Sequence, residues 1–310
     1  VSRAPQVWRG SEAVPSDRPV GAVTVGNFDG VHKGHRALLD AARVRAHALG
    51  GPVVVCTFHP PPRDVMAPGN GVLHVQTLDD RIDELGRQGA DVVVVEPFTR
   101  ELAGQPPEWF ATEVLSRRLG AGAVVIGWDF RFGRGRAGDG ALLRRTLGVP
   151  VDEVAAVEVD GAPVSSTRVR EAVAAGEVAA AARLLGRPHE VVGLVVPGDA
   201  RGRRLGFPTA NVAPETALLP APGVYAVRAR VGEAWVDGVA NLGRRPTFDG
   251  EGLRLEVHLL DGAPDLYGQR LHTGFVARLR GEVAFPDVDA LRAQIAADVA
   301  AARAALAAAP

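Results

Sequence analysis

The sequence predicts two domains, an α/β domain with a doubly wound parallel sheet and then a small antiparallel β-barrel closed by a terminal helix. Three observations carry this. The first half alternates short continuous runs of Val and Ile with helical patterns, which argues for parallel strands covered on both faces. The second half changes to short alternating runs broken by Gly, Pro and Asp, the texture of a small antiparallel sheet or barrel. Finally, 310 residues with 46% hydrophobic and 23% charged content can bury a sizeable core, and we expect it to be divided in two.

In chain order, "AVTVGNF" reads as a strand and "HRALLDAARVRAHALG" as the helix after it. "PVVVCTF", "ADVVVVEPF" and "AVVIGWDF" are the next strands, separated by the helical patterns "TLDDRIDELGRQG" and "PPEWFATEVLSRRLG". "SSTRVREAVAAG" and "EVAAAARLLGRP" read as a helix pair, the second closed by Gly186 and stopped by Pro188. A boundary near Gly186 to Glu190 follows, with domains 1–186 and 187–310. Beyond it come "EVVGLVVPG", "GVYAVRARV", "AWVDGVANLG", "LRLEVHLLD" and "QRLHTGFVARLR" as strands. From Asp287 to Ala309 the pattern is helical again, with Leu291, Ile295 and Val299 on one stripe and an alanine-rich end expected to fray.

Composition limits the function. A net charge of -1 creates no field for nucleic acid or an anionic membrane, and no run of about 18 apolar residues marks a membrane span. The N-terminal stretch lacks the apolar core of a secretory signal, and the single cysteine, Cys56, has no intrachain partner, so a soluble cytoplasmic protein is expected. Cys56 sits in "PVVVCTF" and reads as a buried small hydrophobe rather than a nucleophile. Lys33 is the only lysine, so no G-x-x-x-x-G-K-[ST] phosphate loop exists and any nucleotide must be held in another way.

"TVGNFDGVHKGHRALLDAA" offers that other way. Gly26 and Gly30 let the chain turn after a strand, and His32 and His35 stand three apart where the next helix begins, near Gly34. Free backbone N–H groups and the positive end of the helix dipole make such a place fit for anions, and imidazole donors add to it as charge builds on a phosphate. The alternatives are two incidental surface histidines or a zinc site, the latter lacking further ligands at suitable spacing. "VSSTRVREAV" supplies a second helix start with hydroxyls at Ser165, Ser166 and Thr167 and arginines at Arg168 and Arg170. Taken alone it reads as simple capping.

"GNFDGVHKGH", "VVIGWDFRFGRGRAGD" and "VSSTRVR" resemble the adenylyltransferase half of the bacterial bifunctional riboflavin kinase/FAD synthetase family. "GRRLGFPTANV", "LPAPGVYAV", "GVANLGRRPTF", "LEVHLLD" and "DLYGQRL" resemble its riboflavin kinase half, in the family's order, from about Val20 to about Ala300. The resemblance implies a Rossmann-like nucleotidyltransferase domain and a kinase barrel. It assigns Gly26, Asn27, Phe28, His32, Gly34, His35, Ser165, Thr167 and Arg168 to ATP, and Phe58, Asp129 and Arg170 to the pocket for flavin mononucleotide (FMN). In the barrel it assigns Gly202, Gly206, Thr209 and Asn211 to ATP, with Thr209 and Asn211 on the accompanying Mg2+, and Glu256 and Arg280 to the flavin.

The implied chemistry suits these residue types. The phosphate of FMN is already an anionic nucleophile, so its attack on ATP needs positioning and charge neutralisation, with His32 and His35 as catalytic groups. Riboflavin attacks through an alcohol, and Glu256 is the implied general base. Riboflavin, FMN and ATP are then the partners, FAD the final product, and nucleic acid and membranes are not expected. Departures are Pro61 where histidine is frequent, Trp128 where a carboxylate is common, and Gly281 where a charged residue is usual. Two rivals remain: an adenylyltransferase for another phosphorylated metabolite, disfavoured by "PTAN" and Glu256, and a flavin-sensing regulator, for which a DNA-binding helix pair and basic surface are lacking.

Overall fold

A computed structural model of the chain describes residues 4–69, 71–198, 202, 205–247, 250–262 and 264–309. By packing, the chain forms two compact units, one reaching Ser165 and the other starting at Ser166, with Leu73–Thr77 grouped with the second.

The first unit contains, in order, β1 (Gln6–Arg9), β2 (Gly21–Val25), α1 (Lys33–Leu49), β3 (Val53–His59), α2 (Pro62–Met66), α3 (Leu78–Arg87) and β4 (Val92–Pro97). Then follow α4 (Arg100–Ala103), α5 (Pro107–Trp109), β5 (Ala121–Gly127), α6 (Gly140–Leu147), β6 (Val151–Val154) and a small ribbon of β7 (Glu158–Val159) with β8 (Ala162–Pro163). Between α5 and β5 the chain continues as a wider π-helical segment, Phe110–Arg118. Six strands form a parallel sheet in the order β1-β4-β3-β2-β5-β6.

The continuous apolar runs find their reason here. On β3, Val53 and Val55 face one core with Leu38, Leu39 and Ala42 of α1 and Ile82 and Leu85 of α3. Val54 and Cys56 face another with Phe110, Val114 and Leu115 of the π-helical segment and Leu142 and Leu143 of α6. A strand read on both sides by apolar layers needs no polar alternation. The strand order reverses at β2, whose neighbours are β3 and β5. In an open parallel sheet, ligands bind at such a reversal, beyond the carboxyl ends of the strands.

The second unit opens with α7 (Ser166–Ala174) and α8 (Val178–Leu185). Strands β9 (His189–Val196), β10 (Ala210–Pro214), β11 (Gly223–Val231), β12 (Ala234–Thr247), β13 (Gly250–Leu259) and β14 (Arg270–Arg280) close a barrel in the order β10-β13-β12-β11-β14-β9, and α9 (Val288–Ala308) ends it. All barrel pairs are antiparallel. Tyr225, Val227, Leu255, Val257 and Phe275 fill the interior. Gly186 ends α8 in the left-handed conformation at φ 74, its N–H donating to Ala182 O at 2.7 Å, as its position after the helical pattern implies.

Packing bears on two expectations. The helix pair packs with the barrel, because Val178 of α8 lies in the barrel's apolar core, so packing divides the chain ahead of α7 whereas the sequence boundary at Gly186 falls at the end of α8. The alanine-rich end of α9 is also the end that docks. Ala302 and Leu306 are buried against Val224, Ala226 and Val239, and small side chains let the helix approach the barrel wall.

Candidate active sites

The two-histidine turn follows β2 at the strand-order reversal. Helix α1 begins at Lys33, one residue earlier than expected, and His32 is its N-cap: the His35 backbone N–H donates to His32 Nδ1 at 3.3 Å. As an acceptor, Nδ1 carries no hydrogen, so the ring proton sits on Nε2. The two imidazoles stack at 3.6 Å and 13°, with Phe28 tilted against His35 at 5.0 Å. His32 is buried and His35 half-buried. The pair is thus a preorganised block rather than two independent arms.

The turn is strained. Phe28 and Val31 have φ of 51° and 41°, and Gly30 of 85°. For non-glycine residues this costs roughly 1–3 kcal/mol each and persists only where the surroundings impose it. Close approach also explains two glycines. A Cβ on Gly26 would meet Phe28 Cε2 at 3.2 Å, and one on Gly34 would meet His32 Cε1 and Nδ1 at 3.2 Å and Val164 O at 4.0 Å. The last contact brings the chain leading into Ser165 alongside the turn.

Ser165 immediately precedes α7, while Thr167, Arg168 and Arg170 lie in its first turns, where Arg170 Nη2 donates to Thr167 Oγ1 at 3.2 Å. At the ends of β3, β4 and β5 a string of rings runs Phe98, Phe58, Phe110, Phe132, Phe130, with neighbouring centroids 5.4 to 6.3 Å apart. Phe58 and the "DFRFG" loop that carries Phe130 and Phe132 belong to the sequence resemblance, whereas Phe98, after β4, and Phe110, which opens the π-helical segment, were missed. Asp129 and Trp128 are exposed just past β5, and Pro61 is a buried residue preceding α2. The loop after them presents exposed Arg131, Arg134 and Arg136. Sequence reasoning also missed Arg81 of α3, 2% exposed, whose Nη1 donates to Asn27 O at 2.9 Å. In a charged amphipathic pattern nothing distinguished it from a surface arginine. Cys56 is fully buried, and burial first and the Glu96 charge second push its thiol well above the usual range.

On the barrel, Glu256 alternates with buried Leu255 and Val257 and so lies on the outer face, half-buried. It stands opposite Asn211 on β10 and Asn241 on β12. Thr209 lies two residues before Asn211, just ahead of β10. A Cβ on Gly198 would come within 2.1 Å of Asn211 Nδ2, and one on Gly202 within 3.2 Å of Thr209 Oγ1, so glycine backbone closes over both oxygen donors. His258 Nδ1 lies 2.8 Å from Pro208 O and its ring meets Phe207 edge-on at 5.6 Å, which fastens the "FPTAN" segment to β13. Gly206 has φ 89, a conformation glycine adopts without strain. Arg280 is engaged elsewhere: its guanidinium grips Asp298 of α9 at 2.7 to 3.2 Å, lies 5.7 Å over Phe285, and donates to Gly281 O at 3.0 Å.

A model of the FAD synthetase family matches residues 15–168 and one of the riboflavin kinase family matches residues 185–306. A protein of Pseudomonas fluorescens named bifunctional riboflavin kinase/FMN adenylyltransferase is 41% identical over 96% of this chain and 97% of its own. The chain belongs to the bifunctional riboflavin kinase/FMN adenylyltransferase family. A family member from Haemophilus influenzae is 39% identical over 91% of this chain and 93% of its own. A crystal structure named as a macrolide-efflux protein from Streptococcus pneumoniae superposes with a TM-score of 0.89 at 31% identity, covering 97% and 99% of the two chains. Among the described residues of this chain, no helix is long and apolar enough to cross a membrane. The two family models meet the two sites described above, one at the strand-order reversal and one on the barrel.

Proposed function

We propose that the chain converts riboflavin to FMN on the barrel and FMN to FAD on the parallel-sheet unit, each with ATP, with the functional boundary at 186/187. The observation that supports this is two chemically different arrangements in one chain: a stacked histidine pair capping a helix at the strand-order reversal, and a strand carboxylate opposite two amides on the barrel.

In the first site, Gly26, Asn27, Phe28, His32, Gly34, His35, Ser165, Thr167 and Arg168 hold ATP, and the FMN phosphate oxygen attacks the α-phosphorus. A new P–O bond forms, the bond to the β-phosphate breaks, and pyrophosphate leaves. Charge grows on the phosphate oxygens in this step, and imidazole and backbone N–H donors already in place stabilise it without reorganisation. The stacked pair supports that role, because capping and stacking lock both rings before substrate arrives. Phe58 and the rings continuous with it form an apolar wall for the isoalloxazine, with Asp129 and Arg170 as polar partners.

In the second site, the Glu256 carboxylate takes the proton of the riboflavin 5′-hydroxyl as that oxygen attacks the γ-phosphorus of ATP, and ADP leaves. Gly202 and Gly206 let the backbone close on the nucleotide. Thr209 and Asn211 are neutral oxygen donors under a glycine cover, and they would hold a Mg2+ ion that offsets phosphate charge. Arg280 supports the flavin side by fixing β14 to α9. The reading places the enzyme in the cytoplasm, in keeping with a single buried thiol.

Two substitutions separate the halves. Glu256→Gln removes the proton acceptor and is expected to lower riboflavin phosphorylation roughly 10²- to 10⁴-fold. His35→Ala removes a transition-state donor and is expected to lower FAD formation about 10²- to 10³-fold. Each should leave the other reaction intact. A folded Glu256→Gln variant that no longer adenylylates supplied FMN would overturn the assignment.

A further inference from the structure

Beneath the two-histidine turn lies a buried charge that the reaction as described does not use. Arg81 is 2% exposed, and its Nε has no hydrogen-bond partner among the described residues. What its guanidinium does hold is main chain: Nη1 donates to Asn27 O at 2.9 Å and lies 3.5 Å from Thr57 Oγ1, while the Thr57 hydroxyl donates to the same carbonyl at 3.2 Å. Burial lowers its pKa, and the charges of Asp29 in the turn and Asp64 in α2 raise it again. Asn27 O is the carbonyl immediately before Phe28, the first residue forced to positive φ. Nothing in the local sequence favours that path at Phe28 or Val31. A tertiary clamp at the entrance of the turn supplies what local preference does not.

We propose that Arg81 is a positioning residue for adenylyl transfer, which holds the strained turn, and through it the His32 and His35 pair, in the shape that receives the phosphates of ATP. The proposal rests on the reading of this turn as the ATP site. Arg81 acts through Asn27 and Asp29 rather than by touching the reacting atoms. Its neighbours fit a clamp with a matched charge. Asp29 and Asp64 face it from the turn and from α2. On its own helix Asp80 is buried, and Glu84 is engaged by Arg87 at 3.0 Å and Arg36 at 3.7 Å.

Lysine at this position makes the clamp titratable. A guanidinium stays charged throughout the working range, whereas a buried ammonium has its pKa lowered by desolvation from an ordinary value of about 10.4, with Asp29 and Asp64 opposing the shift. The lysine clamp is therefore present on the acid side and lost as pH rises through that depressed pKa.

The experiment uses the full chain as wild type, Arg81→Lys and Arg81→Ala. FAD formation from FMN and ATP is measured across pH, riboflavin phosphorylation is measured in the same preparations, and thermal melting checks folding. Arg81→Ala should lose about 10²-fold in kcat for FAD formation, the scale of a small misplacement of reacting groups, with a smaller change in KM for ATP. Added guanidinium chloride at low millimolar concentration should restore part of that loss. Arg81→Lys should fall between the two and gain an alkaline limb absent from the wild type, with riboflavin phosphorylation unchanged throughout. Folded variants with wild-type kcat and pH profile for FAD formation would overturn the proposal. So would equal losses in both reactions that follow melting temperature, which mark a stabilising residue only. A wild-type chain that makes no FAD would instead remove the reading of the turn on which the proposal stands.

Discussion

Replacing Gly34 with alanine tests the turn by a methyl group. Gly34 is in the first turn of α1 and is not among the positive-φ residues, so alanine can adopt its backbone. The added Cβ would stand 3.2 Å from both Cε1 and Nδ1 of His32, a few tenths of an ångström too close, and 4.0 Å from Val164 O, which is ordinary contact. The ring must give way. Its cap to His35 N–H is already long at 3.3 Å, so a shift of that size breaks it. Loss of an N-cap costs about 1 kcal/mol, and replacing a helical glycine with alanine returns about 0.8–1 kcal/mol. The two nearly cancel, so the melting temperature should move by no more than about 2–4 °C. FAD formation should nevertheless fall about 10²-fold, because the stacked imidazoles are displaced from the phosphate path. The assay is kcat for FMN adenylylation and for riboflavin phosphorylation on one preparation, with a thermal melt. A folded Gly34→Ala variant with an undiminished FAD rate would refute the claim that the His32 ring position matters.

Leu306, 1% exposed at the alanine-rich end of α9, should cost about 2–5 kcal/mol when cut to alanine, read by urea denaturation; a loss under about 0.5 kcal/mol would mean that this end contributes little to the barrel. Cys56, buried and with a raised pKa, should resist thiol reagents in the native chain and react once in denaturant, as followed by mass spectrometry. Fragments starting at Ser166 and at 187 should both phosphorylate riboflavin without making FAD, and the longer should melt higher because it retains Val178 in the barrel core. Failure of the 187–310 fragment to phosphorylate riboflavin would move the functional boundary to the packing boundary.

Strands buried on both faces were legible because their apolar runs are continuous and β-branched: "PVVVCTF" reads as a covered strand, and β3 is one. Edge strands β1 and β6 escaped, being four residues each and partly exposed. The docking of α9 escaped for the opposite reason, since alanines carry too little apolar area to announce a buried face although their smallness permits close packing. Glu256 could be placed on the face opposite Leu255, Val257 and Leu259 from strand alternation, but not opposite Asn211, because register depends on how the barrel closes. The histidine pair was legible as a motif, whereas its internal bond and stacking were not. Arg81 was hidden altogether: burial of a helix arginine depends on what covers it, here the turn from β2 and the end of β3, and local pattern holds no trace of that.

The account's central claim is one chain with two ordered transfers. Its most direct test is a time course of the purified full chain with riboflavin, ATP and Mg2+, with the flavins separated chromatographically at each time. The account predicts that riboflavin falls, FMN rises first, and FAD follows with release of pyrophosphate. Absence of FMN from riboflavin, or FMN that accumulates and never becomes FAD, would contradict it.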